Sequence, residues 1–374
     1  MSHESRKNEH IHLSLRSDVT FENKCRELFS QIVLIHQALP GLRYEDVDLS
    51  TSFLGYELSA PIVIEAMTGG TRLAKKINES LALVASKYRV AIGVGSQRPI
   101  IASKFDPEII ATYRVVRDIA REVPVIGNIG VAQLAEFDIN DIIRAVELIE
   151  ADALAVHLNP AQEIIQPEGD RDFSTSLVEK VVEVSKSLRK PIIVKEVGNG
   201  LSLEVASLFC KHGLRIFDVA GACGTSWVMI EALRCHEGSP NHVLGSKLHE
   251  EWWGIPTPLS LIEVKAACPN SKVIASGGVW DGFKAAKMLA IGASMVGFAR
   301  PLLKALVDAG LEGAFKYLEQ YIRELKTAMF LTGTRSLREL CEKPVVLGPL
   351  VVSYLTMRGI DVATYLKKRC LSAD

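Results

Sequence analysis

The chain has 374 residues, of which 48% are apolar and 23% charged, with a formal net charge of −1. This is an ordinary soluble mixture, long enough to bury a sizeable core as one large domain or two ordinary ones. The near-zero charge leaves no global field for nucleic acid or an anionic membrane, so an anionic substrate must be held by local basic residues.

The seven cysteines are scattered, odd in number and without a CxxC pair. We expect reduced thiols, a cytoplasmic protein and no cysteine-based metal site. The polar N-terminus lacks the apolar stretch of a secretory signal, and the longest apolar run, 345–357, is broken by Gly348-Pro349 and too short to cross a bilayer.

In chain order, short Val- and Ile-rich runs occupy 61–67, 90–95, 124–130, 153–159, 191–197, 216–221, 272–278 and 294–299. Their near-continuous apolarity suits parallel strands covered on both faces. Helical patterns fill 73–88, 107–121, 141–150, 173–187, 201–212 and 282–289. Eight strands with intervening helices predict an α/β fold, a (β/α)8 TIM barrel. The longest gap predicts an extended strand 6–7 loop at 224–255 over the mouth, and 311–374 predicts C-terminal helices outside the barrel. No repeat or low-complexity linker divides the chain, so 1–374 is expected to be a single domain, with 1–60 as an N-terminal extension.

In such a barrel the strands' C-terminal ends carry the chemistry, and the loops after strands 7 and 8 bind phosphate. Those loops read Ala275-Ser276-Gly277-Gly278-Val279 and Gly297-Phe298-Ala299-Arg300, where glycines let backbone N–H groups approach an anion. The remaining strand ends carry Met67-Thr68-Gly69, Ser96, Asn128, His157, Lys195 and Thr225. A lone buried Lys195 is equally consistent with a pair to Glu196 or Asp218, and a lone His157 with a satisfied core histidine. Together the set suits flavin mononucleotide (FMN): Met67, Thr68 and Gly69 as a shelf, Ser96, Asn128 and Thr225 for the pyrimidine, and Lys195 near N1 and O2. Gly277, Gly278, Val279, Ala299 and Arg300 would take the phosphate.

The strings Arg6-Lys7-Asn8-Glu9-His10, Met67-Thr68-Gly69-Gly70, Gly95-Ser96-Gln97-Arg98, His157-Leu158-Asn159 with Gln162-Glu163, Gly224-Thr225-Ser226-Trp227, Trp253-Gly254-Ile255-Pro256-Thr257 and Ser276-Gly277-Gly278 resemble the type 2, FMN-dependent isopentenyl diphosphate isomerases, in family order over nearly the whole chain. The chain departs from that family after strand 6, where Asp218-Val219-Ala220-Gly221-Ala222-Cys223-Gly224-Thr225 replaces Asp-Val-Ser-Gly-x-Gly-Gly-Thr. A hydroxyl and a glycine are missing there.

The resemblance implies interconversion of isopentenyl and dimethylallyl diphosphate by a 1,3-proton shift in isoprenoid biosynthesis. Reduced FMN and Mg²⁺ would be required, with no net redox change and NADPH or NADH as reductant. It implies Arg6, Lys7, His10, Ser96, Gln97, Arg98, His157, Asn159 and Gln162 as substrate contacts, and Glu163 as the magnesium ligand. His157, Gln162, Trp227 and Glu231 would be the catalytic group. It further implies a homo-oligomer, a tetramer or an octamer. Without it, Arg6-Lys7 reads as a solvated tail, Glu163 as a surface glutamate and Trp227 with Glu231 as a helix face. A flavin oxidoreductase acting on a 2-hydroxy acid or a nucleotide, and a non-catalytic flavin or phosphate binder, are the competing classes. Product formation from isopentenyl diphosphate under anaerobic conditions separates them.

Overall fold

A computed structural model describes residues 3–370, and the side chains of residues 3–6 and 17 lie outside what it describes. Eight parallel strands close into a barrel: β1 (Ile62–Ile64), β2 (Ala91–Gly93), β3 (Val125–Gly130), β4 (Ala153–Leu158), β5 (Ile192–Glu196), β6 (Ile216–Asp218), β7 (Lys272–Ser276) and β8 (Met295–Phe298). β8 returns to β1 in the register Val296↔Ile62, Gly297↔Val63 and Phe298↔Ile64. All of Ile62-Val63-Ile64 and all six residues of β3 are buried, which is why these runs read as continuously apolar rather than alternating. The predicted strands overrun the ladders at their C-terminal ends. There the chain leaves the regular ladder but still bonds its neighbours, as Glu65 N–H does to Phe298 O at 3.0 Å and Gly95 N–H to Thr68 O at 3.1 Å.

The intervening helices begin where side-chain oxygens satisfy first-turn N–H groups. Thr71 accepts from the Ala74 N–H, Asp138 from Asn140, Ser202 from Val205 and Asp281 from Lys284. The Asp138 cap explains why the helix predicted at 141–150 starts earlier, at Ile139.

Two predictions about the periphery are corrected. Residues 224–255 are not an extended loop, because they fold into helices Trp227–Arg234 and Pro240–Glu250, capped by Ser226 and Ser239. The C-terminal region is helical except for the strand Val345–Leu347, which pairs antiparallel with Ile32–Leu34. Its long first helix, Arg300–Leu331, kinks at Ala309 and Gly310, the latter at φ +64°.

The N-terminal segment forms a helix, His3–Ser14, over the barrel mouth. Arg300 clamps the end of that helix, donating to the carbonyls of Ser14 (2.7 Å), Leu15 (3.2 Å) and Arg16 (2.9 Å). Next, Thr20 pairs with Thr225 as an antiparallel bridge, flanked by Phe21 N–H to Gly224 O at 2.9 Å and Ser226 N–H to Val19 O at 2.8 Å.

Reduced thiols are also corrected. Disulfides join Cys25 to Cys223, Cys210 to Cys268 and Cys341 to Cys370, leaving Cys235 unpaired among the described cysteines. Their Cα separations of 5.2, 6.0 and 5.7 Å fall in the range a bridge requires. Partners 198, 58 and 29 residues apart meet only through packing, so no local spacing announced them. Among the described residues no helix is long and apolar enough to cross a membrane.

Candidate active site

The strand ends and the N-terminal helix enclose a cavity of about 240 Å³ at the C-terminal mouth of the barrel. Two groups of predicted residues face it. The residues expected to hold flavin, Met67, Thr68, Asn128, Lys195, Thr225, Gly277, Gly278, Ala299 and Arg300, and those expected around a diphosphate, Lys7, His10, Arg98, Asn159, Gln162, Glu163 and Trp227, all line it. Ser96 and His157 lie on the same wall.

Gln97, Gly69, Val279 and Glu231 do not line the cavity. Gln97 is buried with both ends of its amide engaged: Oε1 accepts from Asn128 N–H at 3.0 Å and Nε2 donates to Ala145 O at 2.7 Å. Its predicted substrate contact is therefore corrected to a strut between β3 and its neighbours. A Cβ on Gly69 would stand 2.0 Å from the Tyr113 ring, so this glycine is demanded by packing. Val279 is fully buried behind the turn. Arg6 lies in the N-terminal helix, and its side chain is outside the described residues.

The glycine turn after β7 has two local causes. Gly277 and Gly278 have φ of +93° and +78°, conformations that disfavour any Cβ. Added Cβ atoms would also meet Gly221 O at 2.3 Å and Cys223 O at 2.2 Å. Thr257 secures the turn, its Oγ1 donating to Gly277 O at 2.5 Å. The backbone N–H of Arg300 opens the helix Arg300–Leu331, where first-turn N–H groups have no intrahelical partner. Its guanidinium, in contrast, is committed to the N-terminal helix.

Lys195, at the end of β5, is held between Asp218 and Glu65, with Nζ 2.9 Å from Glu65 Oε2. Burial opposes its charge, but the two carboxylates raise its pKa overall. Glu196 is not its partner. That side chain turns away and accepts backbone N–H groups from Val197, Gly198, Asn199 and Gly200. Asp218 also accepts from Ser276 Oγ at 2.5 Å. Glu65 is a site residue that sequence reasoning missed, and Ser276, named there only as part of the glycine loop, gains a role as donor to Asp218. Glu65 is the one acidic residue in an otherwise apolar and small stretch, Ile62–Met67, and that was the available signal.

His157 Nδ1 lies 2.8 Å from Asn128 Oδ1. Desolvation, then the charges of Lys7 and Lys195, pull its pKa down to about 3, so the imidazole is neutral. With Nδ1–H donated to the Asn128 oxygen, Nε2 is left as an acceptor. Glu163 is buried, accepting from Asn159 Nδ2 at 2.8 Å and Asp170 N–H at 2.9 Å. Burial raises its pKa despite those bonds.

Glu231 sits one layer behind the wall, fully buried, and accepts from two donors, Gln162 and Arg234, while His10 Nε2 stands close by without making a hydrogen bond. Gln162 Nε2 lies at 2.8 Å, His10 Nε2 at 2.9 Å, and Arg234 pairs with the other oxygen. Burial alone would raise its pKa, yet the contacts from His10, Arg234 and Gln162 hold it below the ordinary carboxylate range. The His10 ring also meets Trp227 edge-on at 5.4 Å. Through this node the N-terminal helix is joined to the β4 loop and the helix after β6.

The donor set fits a flavin and a phosphorylated ligand. Thr68 Oγ1 and Glu65 Oε1 are buried without a hydrogen-bond partner, and the Gly277-Gly278 turn and the Arg300 N–H remain for an anion. Among the described residues no group of three or more metal-ligating side chains converges. A magnesium ion here would need Glu163 together with phosphate oxygens and water, which is a common arrangement for this cation.

Residues 157–347 match the family model of the FMN-dependent dehydrogenases. The isopentenyl-diphosphate delta-isomerase of Sulfurisphaera tokodaii is 42% identical over 362 residues, covering 96% of each chain. That of Methanothrix thermoacetophila is 43% identical, covering 97% of this chain and 99% of its own. Among solved structures, a mandelate oxidase variant carrying a monooxide FMN adduct superposes with a TM-score of 0.60 at 18% identity, covering 90% of this chain and 95% of that one. A second, with benzoyl-formic acid, reaches 0.63 at 18% identity, covering 91% and 95%. At that identity the likeness is one of fold.

Proposed function

Because the chain belongs to the isopentenyl-diphosphate delta-isomerases of the FMN-dependent dehydrogenase family, we propose that it interconverts isopentenyl and dimethylallyl diphosphate with reduced FMN and Mg²⁺ and no net redox change. The observation that carries this reading is that one cavity is lined both by the flavin-type residues Thr68, Asn128 and Lys195 and by the cations Lys7 and Arg98 with the carboxylate Glu163.

FMN would rest against Met67, Thr68, Asn128, Lys195 and Thr225, with its phosphate at Gly277, Gly278 and the N–H of Arg300. When bound and reduced, it supplies an electron-rich ring that stabilises positive charge on a neighbouring alkene. The diphosphate would be held by Lys7 and Arg98, whose charges favour a compact polyanion, with Arg6 joining from the same helix. Glu163 would anchor Mg²⁺ against the phosphate oxygens, and its burial strengthens that charge pairing. Ser96 and Asn159 add neutral hydrogen bonds.

The isomerisation must add a proton at the terminal alkene carbon and remove one from C2. His157 is neutral and offers Nε2 as an acceptor, so it orients the substrate without adding positive charge to the cavity. Gln162 is fixed by its hydrogen bond to Glu231, His10 packs edge-on against Trp227, and Trp227 walls the prenyl pocket with a π-face that favours a nearby cation. The N-terminal helix excludes water that would trap a carbocation-like species.

NADPH or NADH would serve to reduce the flavin rather than be consumed with product. A homo-oligomer, tetrameric or octameric, and a cytoplasmic location complete the reading. The test is anaerobic incubation with reduced FMN, Mg²⁺ and isopentenyl diphosphate, identifying product after acid treatment. Dimethylallyl diphosphate formed catalytically relative to reductant is expected. Absence of product, or oxidation of NADPH in step with it, rejects the proposal.

A further inference from the structure

Glu65 has an arrangement that flavin binding alone does not explain. It follows β1 and reaches across the inside of the barrel over Gly297 of β8, where any Cβ would stand 2.0 Å from Glu65 Oε1. Its Oε2 pairs with Lys195 at 2.9 Å, while Oε1 is buried without a partner. Asp218, the second carboxylate on Lys195, is doubly served by Lys195 and Ser276.

Two carboxylates therefore share one ammonium in a site expected to receive an anionic reduced flavin. With all three ionised the cluster is net negative, and a further negative charge would be repelled in this weakly screened interior. A proton on either carboxyl relieves this. Asp218 already has a donor on each oxygen, whereas Glu65 has a bare oxygen able to carry one. The charged groups acting on Glu65 are Asp218 from β6 and Lys195 from β5, with Gly297 of β8 against its Oε1 and Ser276 of β7 bonded to Asp218.

We infer that Glu65 is a positioning residue for Lys195 that also holds a proton on behalf of the flavin site, remaining a neutral carboxylic acid whenever the bound flavin is reduced. Burial, then repulsion from Asp218, raises its pKa to about 8, against the opposing pull of Lys195. This inference rests on the FMN reading above.

The proton balance follows. Below about pH 8 Glu65 is already protonated, so two-electron reduction to the anionic flavin takes up one proton, on the ring. Above it, Glu65 is ionised beside the oxidised flavin and gains a second proton from solvent on reduction, converting carboxylate to acid. The electrons come from an added reductant such as dithionite.

The experiment is potentiometric titration of the FMN holoenzyme as a function of pH, with wild type and Glu65→Gln compared. The wild type should change from one to two protons per two electrons on passing through about pH 8. Glu65→Gln, which keeps the shape but cannot ionise, should take up one proton throughout. A merely structural glutamate would leave proton uptake unmoved. A single one-proton slope in the wild type overturns the inference, as does a break that persists in Glu65→Gln, which would assign the proton to Asp218 or Lys195. Should Glu65→Gln not retain flavin, the wild-type slope decides, and Glu65→Asp must shift the break. Failure of the wild type to bind FMN rejects the flavin reading itself and this inference with it, whereas FMN binding without the break rejects the role of Glu65 alone.

Discussion

Glu231→Gln isolates what the buried node contributes. The carboxylate accepts from Gln162 and Arg234 while fully enclosed, with the His10 ring beside it, and a neutral amide of the same size offers one acceptor oxygen where the carboxylate offered two. At least one donor is then left without its bond. The Arg234 side chain, 4% exposed, keeps only Glu9 at 3.1 Å and Glu168 at 3.5 Å, both more solvent-exposed partners. Losing a hydrogen bond to a charged group costs about 1.5–3 kcal/mol. If that loss falls on positioning Gln162 and His10 over substrate, kcat/KM drops roughly ten- to a hundredfold. Steady-state kinetics should be read with FMN content and the thermal melt, since Arg234 also makes the node structural. A double-mutant cycle with His10→Ala separates the roles: shared action predicts a coupling of at least about 0.5 kcal/mol in the activation free energy. Additive effects, or unchanged kcat/KM with a lowered Tm, would refute the positioning argument.

Glu163→Gln should weaken the apparent affinity for Mg²⁺ while leaving FMN content unchanged, and an unaltered magnesium titration would place the ligand elsewhere. Lys7→Ala and Arg6→Ala should raise KM with little effect on thermal stability, because the N-terminal helix stays anchored by Arg300; wild-type kinetics in a chain beginning after residue 16 would eliminate the clamp. Cys25→Ser opens a loop of 198 residues and should lower stability by up to about 5 kcal/mol, and thiol reductant should then destabilise it less than it does wild type. His157, lowered to about 3 from 6.5, makes the unfolded chain bind more protons than the folded one between those values. Stability should therefore fall as pH drops through that window, and His157→Gln should flatten the decline in Tm measured against pH.

The barrel was legible because its physics is local and repeated. Runs such as Ile62-Val63-Ile64 and Val125–Gly130 are buried on both faces, whereas caps such as Asp138, which the reading of a helix at 141–150 passed over, set where the helices start. The strand ends therefore named Thr68, Asn128, His157 and Lys195 before any geometry, since a barrel collects those termini at one mouth. What the side chains do there was decided by contacts between distant segments. Lys195 took Asp218 and Glu65 rather than Glu196, because the turn after β5 had already enlisted Glu196 through four backbone N–H groups. Gln97 left the substrate wall because both ends of its amide found partners on other elements. Likewise the Cys25–Cys223 bridge and the seating of the N-terminal helix on Arg300 join residues 198 and 286 positions apart. Apolar runs and helical periodicity act within a few residues and can be read along a line. Charge pairing, disulfide partnership and the closing of a terminus over a cavity depend on which surfaces the barrel brings together.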